Sequence, residues 1–198
     1  MKLDMAIDIV IDPEVYNPSD DSYLLLKVVD VREGERFLEM GSGSGLIAIH
    51  AARAGADVVA ADISPHAVEC TRRNALRNGV KVEAVRSDLF ESIPQSFDVI
   101  AFNPPYLAEE KEPKSWIERS WSGGSGGTDV SAAFLEQAPR HLAPNGRVYV
   151  ILSSLGGLRS LLRTARELYT STMLEEKHMF FESIFAYKFE LLNLASDK

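Results

Sequence analysis

The chain has 198 residues, 45% of them hydrophobic and 25% charged, which suffices for a buried core without covalent staples. Twenty-nine acids against 21 bases give a formal net charge of −8, and the bases are scattered, which argues against a stand-alone nucleic-acid binder. The single cysteine, Cys70, excludes an internal disulfide, and the four histidines lack ligand spacing. No basic leader precedes Ile11 and no apolar run reaches membrane-spanning length, so a cytoplasmic location is expected.

In chain order, Asp20 to Asp30 reads as a helix, with Ser19 as N-cap after Pro18 and two acids in the first turn. Arg36 to Met40 reads as a strand, and Leu46 to Ala54 as a helix closed by Gly55. Val58 to Ala61 is a short apolar strand. Ser64-Pro65 then supplies an N-cap and N1 proline for a helix to about Arg77, ended by Asn78-Gly79. Val80 to Val85 and Asp98 to Phe102 read as strands. Val130 to His141 reads as a helix, followed by a Pro144-Asn145-Gly146 turn, a strand over Arg147 to Leu152 and a helix over Leu158 to Tyr169. Two strands, Glu175 to Phe181 and Ser183 to Glu190, close the chain with almost no linker between them, so they must pair antiparallel. Repeated β-α-β units otherwise imply a parallel sheet covered on both faces. The longest irregular piece runs from Leu107 to about Thr128, a length that points to function or disorder.

Two turns carry chemistry. Glu39-Met40-Gly41-Ser42-Gly43-Ser44-Gly45 places glycines between a strand and a helix, where backbone can approach a nucleoside cofactor and the helix N-terminus suits a carboxylate. Leu46 stands where the dinucleotide fingerprint needs its third glycine. Asp62, 21 residues after Gly41, with Ile63 beside it, is placed to accept both hydrogens of a ribose diol; capping the next helix is the alternative. Asp88 can accept from an adenine amino group while the Leu89 N–H meets a ring nitrogen, or Asp88 is an ordinary turn aspartate.

The second turn is Asn103-Pro104-Pro105-Tyr106, directly after an apolar strand. Proline fixes φ and holds the preceding residue extended, so the Asn103 amide oxygen and the Pro104 carbonyl form a rigid pair of acceptors. Such a pair suits a planar –NH2 group whose lone pair must be turned toward an electrophile. Tyr106 can pack on the planar substrate or face a cationic sulfonium. Together the two turns point to methyl transfer from S-adenosylmethionine to an amide or amino nitrogen, with Asn103, Pro104 and Tyr106 as catalytic candidates.

The element Val15-Tyr16-Asn17-Pro18-Ser19-Asp20-Asp21-Ser22, followed by Leu24-Leu25-Leu26, resembles the V-Y-x-P-x-E-D-T-x-L-L-L pattern of the short archaeal and eukaryotic branch of HemK-like N-methyltransferases. Here Asp20 replaces the usual glutamate and Ser22 the threonine. Trp121-Ser122-Gly123-Gly124, with Gly126-Gly127 beyond, is similar to a second element of that branch. The family methylates the side-chain amide of glutamine in translation release factors.

The resemblance implies an α/β, Rossmann-like, seven-stranded methyltransferase fold, mostly parallel, with a C-terminal antiparallel hairpin. One domain over residues 1–198 is expected, with 1–34 as a cap and 107–128 as a lid anchored by Trp116 and Trp121. Tyr16 and Ser22 would close the cofactor pocket. Glu39, Gly41, Gly43, Gly45, Asp62, Ile63, Asp88, Leu89 and Asn103 would line it, the product being S-adenosylhomocysteine. Asn103, Pro104, Pro105, Tyr106 and Trp121 would meet the substrate, and no metal is expected. The resemblance also implies a small zinc-binding activator, which the edge strand Val80 to Val85 can pair with. Larger bacterial relatives carry an N-terminal helical domain that grips the factor, and none is expected here. Methylation of adenine N6 or guanine N2, and non-enzymatic nucleotide binding, are the competing readings.

Overall fold

The computed structural model describes residues 1–108 and 112–192. In chain order the elements are α1 (Asp20–Val28), β1 (Arg36–Met40), α2 (Leu46–Arg53), β2 (Asp57–Asp62), α3 (Pro65–Arg77), β3 (Glu83–Arg86), β4 (Phe97–Phe102), α4 (Trp116–Arg119), α5 (Asp129–Gln137), β5 (Leu142–Ser153), α6 (Leu158–Ala165), β6 (Tyr169–His178) and β7 (Ser183–Leu191). The strands form one sheet in the order β3-β2-β1-β4-β5-β7-β6. The first five pair in parallel, while β7 runs antiparallel between β5 and β6. The expected fold class is therefore the one observed.

The central strands are apolar on both faces because both faces are covered. Leu38, Val59, Ile100, Val148 and Val150 pack with Phe134, Leu135, Leu161 and Tyr169 on one side. Their strand neighbours Phe37, Val58, Val99, Tyr149 and Ile151 pack with Leu24, Leu25 and Leu26 of α1 and Ile47 and Ala51 of α2 on the other. Among the described residues no helix is long and apolar enough to cross a membrane.

Several boundaries differ from the sequence expectations. The strand expected at Val80 to Val85 occupies only Glu83–Arg86. The Val80 N–H is committed to the Ala75 carbonyl at the end of α3, and pairing starts where Glu83 comes level with Val59. It is the edge strand, as expected. Ser19 occupies the N-cap position of α1 without a side-chain capping bond, and the helix stops at Val28. Ser64 caps α3 as expected, accepting from the Ala67 N–H at 3.4 Å. Pro144-Asn145-Gly146 lies inside β5 as an irregularity: Asn145 is left-handed (φ 63°), and the register to β4 jumps between Phe97 and Val99. The long connection after Leu107 contains a short helix, α4, which Ser115 caps by accepting the Glu118 N–H at 3.2 Å.

The end of α5 and the start of β6 are linked. The helix expected to reach His141 ends at Gln137 and continues as a 3-10 turn over Ala138–His141. Pro139 has no N–H to return to the Leu135 carbonyl four residues back. The buried Tyr169 hydroxyl fills that carbonyl instead, at 2.7 Å. The expected last helix correspondingly stops at Ala165, and β6 begins at Tyr169 rather than Glu175. At its far end β6 stops at His178, so Phe180 and Phe181, read from sequence as strand, form the hairpin tip and are 92% and 86% exposed.

Replacing Tyr169 by Phe removes only the hydroxyl and leaves the Leu135 carbonyl without its donor. We expect Tyr169→Phe to lower unfolding stability by about 1–3 kcal/mol in urea titrations. An unchanged midpoint would show that water satisfies that carbonyl.

Candidate active site

Four strand ends converge on one edge of the sheet, beside the β1–β4 boundary where the strand order reverses. Crevices in open α/β sheets form at such points. Here it is a cavity of about 500 Å³.

After β1 the chain passes through Gly41, Gly43 and Gly45 with φ of 63°, 53° and 79°, a conformation that side chains disfavour. A Cβ at Gly41 would fall 2.9 Å from the Phe102 ring, and one at Gly45 2.9 Å from Thr71 Cγ2. The turn is tied to β2: the Ser42 N–H donates to the Ala61 carbonyl at 3.0 Å, and the Gly43 N–H to Asp62 Oδ2 at 2.9 Å. Asp62 Oδ1 accepts the Ser64 N–H at 2.9 Å. Asp62 thus holds two loops at once, and each of its oxygens retains a further lone pair. Burial raises its carboxyl above the ordinary value despite those hydrogen bonds. Glu39, buried beneath the turn, accepts the Ala48 N–H at 2.8 Å. Burial pushes its carboxyl up to about 8, offset in part by that hydrogen bond and reinforced by the charge of Asp62.

Beyond β3, Leu89 is left-handed (φ 45°), which is uncommon for a branched side chain and places it in the cavity wall with Asp88. Ser87 fixes this turn by donating to the Leu89 carbonyl at 2.7 Å and accepting the Ser92 N–H at 2.9 Å.

Asn103 directly follows β4 and lines the cavity. Its Oδ1 is buried without a hydrogen-bond partner, the one such side-chain atom among the described residues. An unsatisfied buried acceptor costs about 1–3 kcal/mol and is the kind of exception that a ligand explains.

The cavity wall brings together Tyr16, Ser22, Glu39, Gly41, Gly43, Asp62, Ile63, Asp88, Leu89, Asn103 and Pro105. It does not include Gly45, Pro104, Tyr106 or Trp121. Gly45 caps α2. Pro104 is buried. The Tyr106 hydroxyl turns to Asp21 Oδ2 at 3.3 Å. Trp121 is 43% exposed and holds its segment through backbone, its carbonyl accepting the Leu107 N–H at 3.0 Å. Trp116 lines the cavity instead. Its backbone N–H donates to Glu14 Oε2 at 3.2 Å, and Arg119 lies over its ring at 6.0 Å. Of the expected lid, residues 109–111 fall outside the described residues.

Sequence reasoning missed Ser87, Glu14 and Asp21. Asp21 looked like one of two first-turn acids serving the helix dipole, yet it is buried and accepts from both tyrosines of the two motifs.

Residues 15–181 match the methyltransferase small domain family. A putative protein N5-glutamine methyltransferase of Methanocaldococcus jannaschii is 40% identical over 167 residues, 82% of this chain and 84% of that protein. The methyltransferase HEMK2 of Mus musculus is 32% identical over 77% of this chain and 78% of its own length. Among solved structures, the E. cuniculi Mtq2–Trm112 complex, described as methylating the eRF1 translation termination factor, matches with a TM-score of 0.71 at 25% identity. That match covers 90% of this chain and 99% of the other.

Glu39 makes stability depend on pH. Its carboxyl stays protonated up to about 8 in the fold but ionises near 4.5 in the unfolded chain, so unfolding releases a proton between those values. Its contribution is whole below about pH 4.5 and is lost as pH rises toward 8. Urea unfolding at pH 5, 6.5 and 8 should show the Glu39→Gln variant gaining on the parent as pH rises. A constant difference would mean that Glu39 is ionised throughout.

Proposed function

This chain belongs to the methyltransferase small domain family, and from its likeness to the glutamine-methylating relatives we propose that it methylates the side-chain amide nitrogen of a glutamine in a translation release factor. It is an S-adenosylmethionine-dependent enzyme. The buried, unpartnered Asn103 oxygen at the mouth of the glycine turn carries the reading.

The residues present fit the cofactor. Asp62, with a spare lone pair on each oxygen, would take the ribose hydroxyls. Asp88 and Leu89 would meet the adenine, and Ile63 would pack beside it. Gly41 and Gly43 leave room for the methionine portion above Glu39, with Gly45 turning the chain into the helix behind them. Tyr16 and Ser22 close the pocket from the N-terminal side. When bound, S-adenosylmethionine supplies a methyl group on a positively charged sulfur, which needs no further activation.

The chain's own contribution is to orient the acceptor. A glutamine –NH2 is a poor nucleophile because its lone pair is conjugated with the carbonyl. Asn103 Oδ1 would accept one hydrogen and the carbonyl of Pro104, next in the chain though outside the cavity wall, the other, leaving the nitrogen's lone pair turned toward the methyl donor. Fixed acceptors need no rearrangement at the moment of reaction, so positioning and preorganised electrostatics supply the rate. No base is required, because the methylated nitrogen becomes acidic enough to lose its proton to water. Pro105 walls the amide slot, and Tyr106 braces the corner from behind.

Residues 1–34 act in this reading as a cap within one catalytic domain, and 107–128 as a cover over the substrate. Of the two tryptophans expected to anchor that cover, Trp116 lines the cavity and Trp121 lies outside it. A small zinc-binding activator pairs with the outer edge of β3, at Glu83–Arg86 within the expected Val80–Val85 region. The edge position of β3 and the two-chain assembly of the Mtq2 relative support this. The working compartment is the cytoplasm.

Incubation with radiolabelled S-adenosylmethionine should label a release factor, leave its Gln→Ala variant unlabelled, and leave DNA and RNA unlabelled. Label on nucleic acid alone would overturn the assignment. Asn103→Ala should keep cofactor affinity within a few-fold while lowering kcat by roughly 10²-fold or more. Unchanged turnover would remove Asn103 from the reaction.

A further inference from the structure

We propose that Asp21 is a positioning residue that locks the Asn103-Pro104-Pro105-Tyr106 corner to the N-terminal element closing the cofactor pocket. The inference rests on the amide-methylation reading above. Asp21 lies in the first turn of α1 and is 4% exposed. Its Oδ1 accepts the Ser22 N–H at 2.6 Å and the Ser22 hydroxyl at 3.1 Å. The Tyr16 hydroxyl lies 3.1 and 3.2 Å from its two oxygens. Its Oδ2 also accepts the Tyr106 hydroxyl, 85 residues away in sequence.

One carboxylate therefore joins three side chains from two separate motifs. Tyr16 and Ser22 line the cavity, whereas Asp21, 4% exposed, is outside its wall and meets it through them. Tyr16 and Tyr106 are both pushed above the ordinary phenol range, by burial first and then by the Asp21 charge. They remain protonated donors across physiological pH, and the tether persists.

The two prolines turn that tether into control of Asn103. Each fixes its φ, and each holds its predecessor extended. Few free torsions separate the anchored Tyr106 from the Asn103 amide. With Tyr106 released, the corner can rotate and the Asn103 oxygen loses its aim. A misplacement of about 1 Å in a positioning group is enough to cost two orders of magnitude in rate. The same carboxylate fixes Tyr16 and Ser22, so the pocket's closing element and the amide-holding corner share one anchor.

The test is a double-mutant cycle between Asp21→Asn and Tyr106→Phe, measured on whichever –NH2 acceptor the parent enzyme methylates. Asparagine keeps the shape but offers only one acceptor atom. Each single variant should lower kcat by about tenfold or more; Tyr106→Phe should leave KM for the acceptor and Kd for S-adenosylmethionine within about threefold, whereas Asp21→Asn, which also frees Tyr16 and Ser22, should weaken cofactor binding as well. The double variant should be no slower than the worse single one, because both remove the same link. Additive losses, or a kcat that stays at the parental value, would overturn the proposal. So would losses in Tyr106→Phe that appear equally in kcat and cofactor affinity and follow a fall in Tm, since these mark a merely structural role. If Asp21→Asn does not fold, Tyr106→Phe alone decides: reduced kcat with unchanged cofactor Kd supports the tether, and parental kcat refutes it. A parent enzyme that methylates an acceptor other than glutamine would revise the substrate assignment while leaving the cycle interpretable.

Discussion

The sheet reverses its strand order between β1 and β4, and the rest of the molecule follows from that constraint. Parallel strands on either side of the reversal send their connections to opposite faces. The carboxyl ends of β1, β2 and β4 are left with a gap between them that no helix fills. Only turns can wall such a gap, so the chemistry sits on turns, and each turn needs its own device to stay fixed. Glycine with positive φ serves after β1, a doubly bonded aspartate after β2, a hydroxyl-stapled left-handed leucine after β3, and two prolines after β4.

Much of this was legible because the devices depend on residue type. Asn103 could be singled out since proline on its C-terminal side restricts backbone torsions that no neighbour needs to enforce. The glycine turn was legible for the converse reason, that only glycine lacks the Cβ that would strike Phe102. Leu89 was picked for its backbone N–H, yet nothing in a leucine announces a left-handed conformation; Ser87 imposes that conformation from outside. Asp21 was invisible as an anchor because both its tyrosine partners are brought to it by the fold, one of them 85 residues distant.

The fold itself was legible in type and order but less so at the ends of elements. Strand and helix identity come from burial of whole faces, which leaves a periodic trace. Boundaries depend on single hydrogen bonds. A proline at 139 signals that α5 must change character there, but sequence does not reveal that Tyr169 will occupy the vacated carbonyl and thereby start β6 early. Phe180 and Phe181 show the opposite failure. Their apolar character reads as strand, yet the hairpin turns there and leaves the two rings in contact with each other, centroids 4.7 Å apart.

The way Asp62 is held bears on how the crevice fills. Its oxygens already bind the loops after β1 and β2, so those loops are set before any nucleoside arrives. Little chain entropy is then lost on association, and what a ligand gains from contacts is kept as affinity rather than consumed in ordering the protein. For a small enzyme that must release one nucleoside product and take up another at every turnover, rigid walls make exchange a matter of diffusion in and out.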